Sequence, residues 1–317
     1  EDDFTENLRK KVDKFINISE MNDLEVVKIA RQDEIDIGID LKGYTQNTRI
    51  AIFSYRIAPI QISYLGYPGT TGSDCIDYLI ADKIIIPEDY QKFYSEKVLY
   101  MPNSYQCNDC QREISKRLFK REELGLKKEN FVFACFNANN KITQDVFNIW
   151  MNLLSKVEGS VLWLFRSNNF TENNLYQEAA RHGIDSSRII FANRIPHEEH
   201  LSRLKCADLV LDTFNYNAHT TASDALWAGI PIITKLGDSF SARVCSSLLN
   251  AVELPELITH NIEEYENKAF NLATNKKDLQ ILKKRLKEKL ATAPLFDSKK
   301  FTNDLENIYS QLIHGLS

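Results

Sequence analysis

The segment ADLVLDTFNYNAHTTASDALWAG, residues 207–229, joins a strand-like apolar run to a helix-like pattern through a short polar loop. Residues 207–213 have the apolar character of a buried strand, and residues 219–229 place apolar side chains at helical spacing. A helix that follows such a strand presents unpaired backbone N–H groups and the positive end of its dipole at the edge of the sheet. The segment therefore predicts an α/β unit that binds a phosphorylated ligand at the start of this helix.

Polar side chains at the start of the predicted helix support an anion site. His219, Thr220 and Thr221 add side-chain donors to the backbone N–H groups. Asp224 stands one turn further on, where a carboxylate is suited to accept hydrogen bonds from sugar hydroxyls. A capped helix with a Thr as its N-cap is the alternative interpretation of the same residues.

Short apolar runs alternate with helical patterns from residue 131 onward, which is typical of a parallel sheet with helices on both faces. The predicted strands are 131–135, 161–165, 188–192, 208–212 and 231–234. The predicted helices are 143–157, 172–183, 198–206 and 219–229.

The part of the chain before residue 126 has weaker periodicity, but it also predicts an α/β layer. Its candidate strands are 36–41, 60–64, 78–80 and 97–101. A charged helix is expected over 115–125, ending at Gly125, and the polar run 127–130 after it is typical of a linker.

These patterns predict two domains in the 317-residue chain, 1–126 and 127–297. A long charged helix from about 262 to 290 would close the second domain. An amphipathic helix within 298–317 is then expected to return to the first domain.

Glycine is scarce in the chain, with eleven residues, yet three of them fall at 66, 69 and 72. Glycine permits close approach of the backbone to a ligand, and Pro68 stiffens the segment between the first two. The residues Gly66, Tyr67, Pro68, Gly69 and Thr70 therefore predict a preformed loop that contacts a ligand. A plain connecting turn remains the alternative.

Composition narrows the classes of function. The formal net charge of −5 argues against broad capture of nucleic acid. No apolar run approaches the roughly 20 residues that cross a bilayer, and a cytoplasmic protein with no membrane partner is expected. The six cysteines are widely spaced, so a disulfide framework is not expected; Cys107 and Cys110 have CxxC spacing but no second pair at the distance of a zinc site.

Lys141 follows the first strand of the second domain, at the edge where open α/β sheets bind ligands. The start of the helix near Thr220 and Thr221 is expected at the same edge, so the lysine and the helix dipole would together stabilise a diphosphate. No HExxH, GxxxxGK[ST], GxSxG, GxGxxG or suitably placed DxD motif occurs, which predicts chemistry without a metal or cofactor. His200 and Arg203 are candidates for a nucleoside pocket.

Four segments of the first domain together resemble the catalytic region of the O-linked N-acetylglucosamine transferase family. They are APIQ at 58–61, LGYPGTTGSDCIDY at 65–78, YSEK at 94–97 and the dipeptide Met101-Pro102. Downstream, the pairing of Phe136-Asn137 with Lys141, the EEH motif ending at His200, and the HTT motif with Asp224 resemble the same family in the same order. The resemblance runs from about residue 12 to the end of the chain.

The resemblance implies a GT-B fold with two Rossmann-like domains facing an interdomain crevice. It also implies UDP-GlcNAc as donor, inverting and metal-independent transfer, and Ser or Thr of a protein or peptide as acceptor. Lys141 and His219 would be the catalytic residues: Lys141 would stabilise the departing diphosphate and His219 would bind its phosphates. The 66–70 loop would approach the sugar and the acceptor. The implied donor-binding residues are Asn137, Lys141, His200, Arg203, His219, Thr220, Thr221 and Asp224.

Three departures from the family pattern leave alternatives open. The first domain is expected to be N-terminally incomplete, with tetratricopeptide repeats upstream in the natural protein. Lys14 stands where the family has a histidine, and Ala138 stands where it has a glutamine. Protein O-fucosyl or hexosyl transfer by the same fold, or a catalytically weak nucleotide-sugar-binding module, are therefore the other hypotheses. His219 favours a uridine donor, because the fucosyltransferases lack a histidine before the Thr pair.

Overall fold

Two sheets organise the chain, whose computed structural model describes residues 3–315. The chain divides into two compact units. The first comprises the residues up to 80, residues 93–98 and the residues from 309 onward; the second comprises residues 81–92 and 99–308. The α/β class predicted from the alternation of strands and helices is confirmed.

The division into units differs from the expected boundary at residue 126, because residues 99–126 group with the second unit. Hydrogen bonds hold this segment to the second unit: Ser115 N donates to Glu198 O at 3.0 Å, and Arg121 Nη2 lies 2.8 Å from Asp208 Oδ2. Contacts such as these explain why residues 99–126 belong to the second unit, although they precede the expected boundary in the sequence.

The first sheet has four strands in the order β1-β2-β3-β4, and the β1–β2 and β2–β3 pairs are parallel. The strands are β1 Ile37–Asp40, β2 Ile60–Ser63, β3 Tyr78–Ala81 and β4 Lys97–Tyr100, and the helices are α1 Asp3–Arg9, α2 Asp23–Gln32 and α3 Ala51–Ser54. A capping box starts α2: Asn22 accepts from Glu25 N, and the Glu25 side chain accepts from Asn22 N. The helix then buries Val27 against Ile52 and Phe53 of α3.

The second sheet has six strands in the order β7-β6-β5-β8-β9-β10, and each neighbouring pair is parallel. The strands are β5 Phe131–Cys135, β6 Ser160–Phe165, β7 Ile189–Ala192, β8 Leu209–Leu211, β9 Ile232–Lys235 and β10 Ile258–Thr259. The helices are α4 Gln144–Lys156, α5 Asn169–Arg181, α6 His197–Leu204, α7 Thr220–Trp227, α8 Val244–Ala251, α9 Ile262–Thr274, α10 Lys276–Lys289 and α11 Ser298–His314.

This strand order is the doubly wound Rossmann order, in which the chain starts at β5, builds outward to β7, and returns to the other side of β5 with β8. The order reverses between β5 and β8, so the loops that leave these two strands diverge and open a crevice at their carboxyl ends. The loop after β5 carries Asn137 and Lys141, and the loop after β8 carries Asp212 and His219. Topology alone thus brings these two loops to one place.

Large aromatic side chains fill the core of the second unit. Trp150 of α4 and Trp163 of β6 are fully buried, as are Phe133 and Tyr265. Burying each aromatic side chain contributes about 1.5–3 kcal/mol relative to leaving it exposed. These buried side chains pack β5 and β6 into the core behind the crevice.

Two expected helices are different in the structure. The 115–125 helix is wrong: only Arg121–Leu124 form a 3-10 turn, ended by Gly125 in the left-handed region at φ 74. The long 262–290 helix is two helices, since the chain leaves helical geometry at Asn275, whose side chain accepts from Asp278 N and caps α10. Charge and periodicity did not reveal these breaks, because Asn is tolerated in a helix and the pattern continues on both sides of it.

The 66–70 loop follows β2 in the first unit and packs closely against the chain that leaves β1. A Cβ added at Gly66 would meet Leu41 O and would lie 2.7 Å from Lys42 Cα, both backbone atoms. Glu96, which is 1% exposed, fixes the far end of the loop by accepting from Thr70 Oγ1 and Thr71 N, each at 2.6 Å. The loop is therefore held in one conformation by its own contacts.

We expect Gly66→Ala to destabilise the protein by about 3 kcal/mol, at the upper end of the range for overpacking, because backbone atoms cannot move aside. Gly72→Ala is the matched control. Gly72 has a left-handed φ of 63, but an added Cβ there meets nothing within 4 Å, so only the strain of about 1–2 kcal/mol remains. Thermal unfolding of both variants measures these losses of stability. An equal loss in Gly66→Ala and Gly72→Ala would contradict the close approach of backbone atoms at Gly66.

Candidate nucleotide-binding site

A buried carboxylate at the end of β8 organises the loops of the second unit. Asp212 is 0% exposed, and its Oδ1 accepts from Thr213 N at 2.8 Å and from Ala218 N at 2.6 Å. Its Oδ2 accepts from Thr234 Oγ1 of β9 at 2.6 Å. Burial raises the pKa of Asp212 to about 6, while these hydrogen bonds act in the opposite direction.

Asn137, just after β5, links this carboxylate to α7. Its Nδ2 donates to Thr213 Oγ1 at 2.8 Å and points to Asp212 Oδ1 at 3.4 Å. Its Oδ1 accepts from Thr221 Oγ1 at 2.5 Å. The two loops at the switch point are therefore joined side chain to side chain, and the start of α7 is fixed relative to β5.

Lys141 lies beside the loop that leads into α7. Its Nζ donates to Asn217 O at 2.9 Å and lies 4.0 Å from the centre of the Tyr216 ring. The ring of His219 also stacks on Tyr216, with centroids 4.8 Å apart and planes 22° apart. The structure thus brings Lys141 and His219 together around one tyrosine.

The side chains of Lys141 and His219 are both held partly out of water. Burial lowers the pKa of Lys141, against the opposing charge of Asp212. Burial also lowers the pKa of His219 to about 4, so its imidazole is neutral near pH 7. His219 Nε2 lies 3.2 Å from Ser241 O; because a carbonyl only accepts, this nitrogen carries the proton and Nδ1 has the lone pair.

The start of α7 presents backbone donors next to these side chains. His219 occupies the N-cap position, where its side chain makes no cap bond, and Ala222 N makes the first turn's bond to His219 O at 3.1 Å. The N–H groups of Thr220 and Thr221 precede that bond. The N-cap is therefore His219, not a Thr as the alternative interpretation had it.

A cavity of about 630 Å³ opens on the same unit and includes Thr221 and Asp224 in its wall. This volume lies within the range of pockets that take a small molecule. Thr221 belongs both to this cavity and to the helix start beside Lys141. The lining residues are Phe136, Phe165, Arg194, Ile195, Pro196, His197, His200, Arg203, Thr221 and Asp224.

His200 and Arg203 form one wall of this cavity. Arg203 Nε donates to His200 Nδ1 at 3.0 Å, and Arg203 Nη1 donates to Asn193 O at 2.6 Å. Phe136 packs on both, with its ring 4.8 Å from the His200 ring and 5.2 Å from the guanidinium carbon. Burial, followed by the charge of Arg203, lowers the pKa of His200 to about 3. His200 is therefore neutral with its proton on Nε2, a fixed hydrogen-bond donor beside an aromatic surface.

Asp224 already has two partners. Arg112 Nη1 lies 2.8 Å from its Oδ1, and His197 Nε2 lies 3.2 Å from its Oδ2. The sequence predicted Asp224 as an acceptor for sugar hydroxyls, but it gave no indication of either partner. His197, the partner of Oδ2, lines the cavity together with Asp224.

Three further observations concern the cysteines, the candidate metal ligands and the helix lengths of the described residues. All six cysteines are free, and Cys107 and Cys110 are exposed. Within residues 3–315, no group of three or more His, Cys, Asp or Glu is placed to hold a metal ion. No helix in the same span has both the length and the apolar character needed to cross a membrane.

The sequence matches the model of glycosyl transferase family 41 over residues 1–122 and 111–305. The chain belongs to this family. Its curated relatives include the probable UDP-N-acetylglucosamine–peptide N-acetylglucosaminyltransferase SEC of Arabidopsis thaliana, 39% identical over 98% of this chain and 32% of the relative. The enzyme of Caenorhabditis elegans named for the same activity is 26% identical over 98% of this chain and 37% of its own length. The chain thus spans about a third of these relatives.

Solved structures define the fold class. A mutant O-GlcNAc transferase of Thermobaculum terrenum superposes with a TM-score of 0.89 at 28% identity, covering 98% of this chain and 59% of that one. An Anabaena protein solved with UDP and glucose has a TM-score of 0.63 at 14% identity, covering 98% and 90%, and shows likeness of fold alone. The GT-B type of α/β fold, implied by the resemblance, is confirmed.

The sequence missed residues that shape the site without belonging to a motif. Asp212 carried a signal, since it is a charged residue at the end of an apolar run, where a buried carboxylate must find donors. Tyr216 and Arg112 carried none, because their roles depend on contacts with residues far away in the chain.

The lowered pKa values of His200 and His219 predict how stability depends on pH. Unfolded histidine takes up a proton near pH 6.5, whereas these two remain neutral in the folded protein until about pH 3 and about pH 4. The unfolded state therefore binds more protons below pH 6.5, and the free energy of unfolding falls as pH falls. We expect each histidine to account for about 1–2 kcal/mol of the loss between about pH 7.5 and pH 5.

Denaturant unfolding of wild type and of His200→Gln and His219→Gln across this pH range measures the effect. Each variant should lose less stability than wild type on acidification. Asp212 acts in the opposite direction, because its pKa is raised, but its contribution cancels in the difference between variant and wild type. Parallel curves for all three proteins would show that the two histidines titrate normally.

Proposed function

We propose that this chain binds UDP-GlcNAc in its second unit and transfers N-acetylglucosamine to Ser or Thr hydroxyls of proteins. The observation that carries the proposal is the junction at Thr221. A nucleoside-sized cavity with a His200–Arg203 wall meets, at this residue, a helix start flanked by Lys141 and His219. The relatives named for transfer from UDP-N-acetylglucosamine to peptide support the donor and the acceptor class.

The uracil is assigned to the cavity wall. A neutral His200 with its proton on Nε2 can donate to a base carbonyl, and the Phe136 ring supplies an apolar surface. Asp224 is assigned to the ribose hydroxyls. Pyrimidines have carbonyl groups that suit a fixed donor of this kind.

The diphosphate is assigned to the start of α7. When the sugar C1–O bond breaks, the departing UDP takes the electron pair on a β-phosphate oxygen, and the acceptor hydroxyl oxygen forms the new bond to C1 while its proton passes to a base. The Lys141 ammonium and the N–H groups of Thr220 and Thr221 stabilise the charge that develops. A phosphate beside His219 also favours the protonated imidazole, which can donate from Nδ1.

We further propose that the transfer inverts the configuration at C1 and uses no metal ion. The support is the family resemblance and the positive charge that Lys141 and the helix dipole supply at the leaving group. The 66–70 loop of the first unit is assigned to the sugar and the acceptor on the same resemblance. Cytoplasmic location remains an expectation.

A second candidate is a nucleotide-sugar-binding module that does not turn over. Lys14, which stands where the family resemblance predicts a histidine, is committed to an ion pair with Asp33 at 2.6 Å. If the chain is such a module, it binds UDP-GlcNAc but does not transfer the sugar. Mass spectrometry of an acceptor peptide incubated with the chain and UDP-GlcNAc separates the two: added N-acetylhexosamine supports the enzyme, and donor binding without it supports the module.

Lys141→Ala is expected to weaken binding of UDP by about 2–4 kcal/mol, the scale for one preorganised charge contact, and to leave binding of uridine unchanged. Calorimetric titration with UDP, uridine and guanosine diphosphate measures this, with UDP expected to bind best. Lys156→Ala, which breaks an exposed ion pair with Glu266, is the control and should bind as wild type does. Equal UDP affinity in Lys141→Ala and wild type would show that the diphosphate does not bind beside Lys141.

A further inference from the structure

Arg112 has an unusual combination of contacts for a residue that only stabilises the fold. It lies on an irregular segment between β4 and β5, and its Nη1 lies 2.8 Å from Asp224 Oδ1. The two partners are only 15% and 11% exposed in their side chains, so little water competes for this pair. Burial lowers the pKa of Arg112, against the attraction of Asp224.

Aromatic rings hold the guanidinium in place. Its central carbon lies 5.3 Å from the Trp227 ring and 5.8 Å from the Phe296 ring. Trp227 belongs to the last turn of α7 and donates from its indole N–H to Arg112 O at 3.2 Å. The same helix therefore carries both the carboxylate that Arg112 pairs with and the ring that fixes it.

The second terminal nitrogen of Arg112 makes no hydrogen bond with the described residues. Arg112 Nη2 is buried and has no hydrogen-bond partner among residues 3–315. A buried donor without a partner costs stability. Arg112 Nε donates to Asp109 O at 3.2 Å, so the guanidinium is anchored while its Nη1 fixes one oxygen of Asp224.

The other oxygen of Asp224 pairs with a residue of the cavity wall. His197 Nε2 lies 3.2 Å from Oδ2, and the His197 side chain is 58% exposed, so it can yield its place to a ligand. Rotation of the carboxylate would break the ion pair between Arg112 and Oδ1, so Oδ2 is the oxygen left for a ligand that displaces His197.

We propose that Arg112 is a positioning residue that makes the site selective for ribonucleotides over 2′-deoxyribonucleotides. It acts through Asp224, by presenting Oδ2 to the ribose 2′-hydroxyl. The inference rests on the proposed binding of a uridine diphosphate in this cavity. It predicts that substitution of Arg112 changes the choice between two ligands, not only the affinity for one.

Calorimetric titration of the whole chain with UDP and with 2′-deoxyuridine diphosphate tests this. Wild type should bind UDP about tenfold more tightly, as expected for one hydrogen bond to a charged acceptor. Arg112→Met should reduce the ratio to about threefold or less, and Arg112→Lys, which keeps a charged donor, should retain more of it. Arg112→Gln, which keeps a polar group but no charge, should lose the ratio as the Met variant does and replaces it if that variant does not fold.

Arg121→Met is the matched control. Arg121 forms a similarly enclosed pair with Asp208, 21% and 20% exposed, at the opposite end of β8. The Arg121→Met variant should be less stable than wild type, but its ratio of affinities for UDP and 2′-deoxyuridine diphosphate should equal that of wild type. Equal affinities of wild type for the two ligands, or an unchanged ratio in the Arg112→Met or Arg112→Gln protein, would overturn the role of Arg112 while leaving UDP binding in place. Failure of wild type to bind UDP would instead overturn the proposed function.

Discussion

The buried carboxylate of Asp212 is the constraint on which the candidate site depends. A charged group removed from water must be met by donors, and here the donors come from three different places: the chain just after β8, the chain leading into α7, and the neighbouring strand β9. Its backbone carbonyl also accepts from Tyr265 OH of α9 at 3.0 Å. One side chain thus sets the path of the loop that carries Tyr216 and His219.

The site follows from this path and from the Rossmann strand order. The strands β5 and β8 are neighbours at the point where the strand order reverses. Asn137, just after β5, can therefore contact both Asp212 and Thr221. Lys141 then donates to Asn217 O of the loop that these hydrogen bonds anchor. Electrostatic stabilisation of a diphosphate needs this kind of preorganisation, since fixed charges and dipoles do not have to reorient when the leaving group forms.

The sequence was sufficient to predict the α/β class and the convergence of Lys141 with His219, since both follow from periodicity and from the rule that ligands bind at the carboxyl ends of parallel strands. The split of the 262–290 pattern at Asn275 was not predictable from periodicity, which continues through the break. The pair between Arg112 and Asp224 was not predictable either. It joins residues 112 positions apart, and Arg112 lies in a segment without regular structure.

A crystal structure of the chain soaked with UDP would show directly whether the diphosphate binds at the start of α7. We expect the uracil against Phe136 and His200, the ribose hydroxyls at Asp224, and the β-phosphate within hydrogen-bond distance of Lys141 Nζ and the first N–H groups of α7. Density for UDP elsewhere on the chain, or a diphosphate directed away from α7, would contradict it.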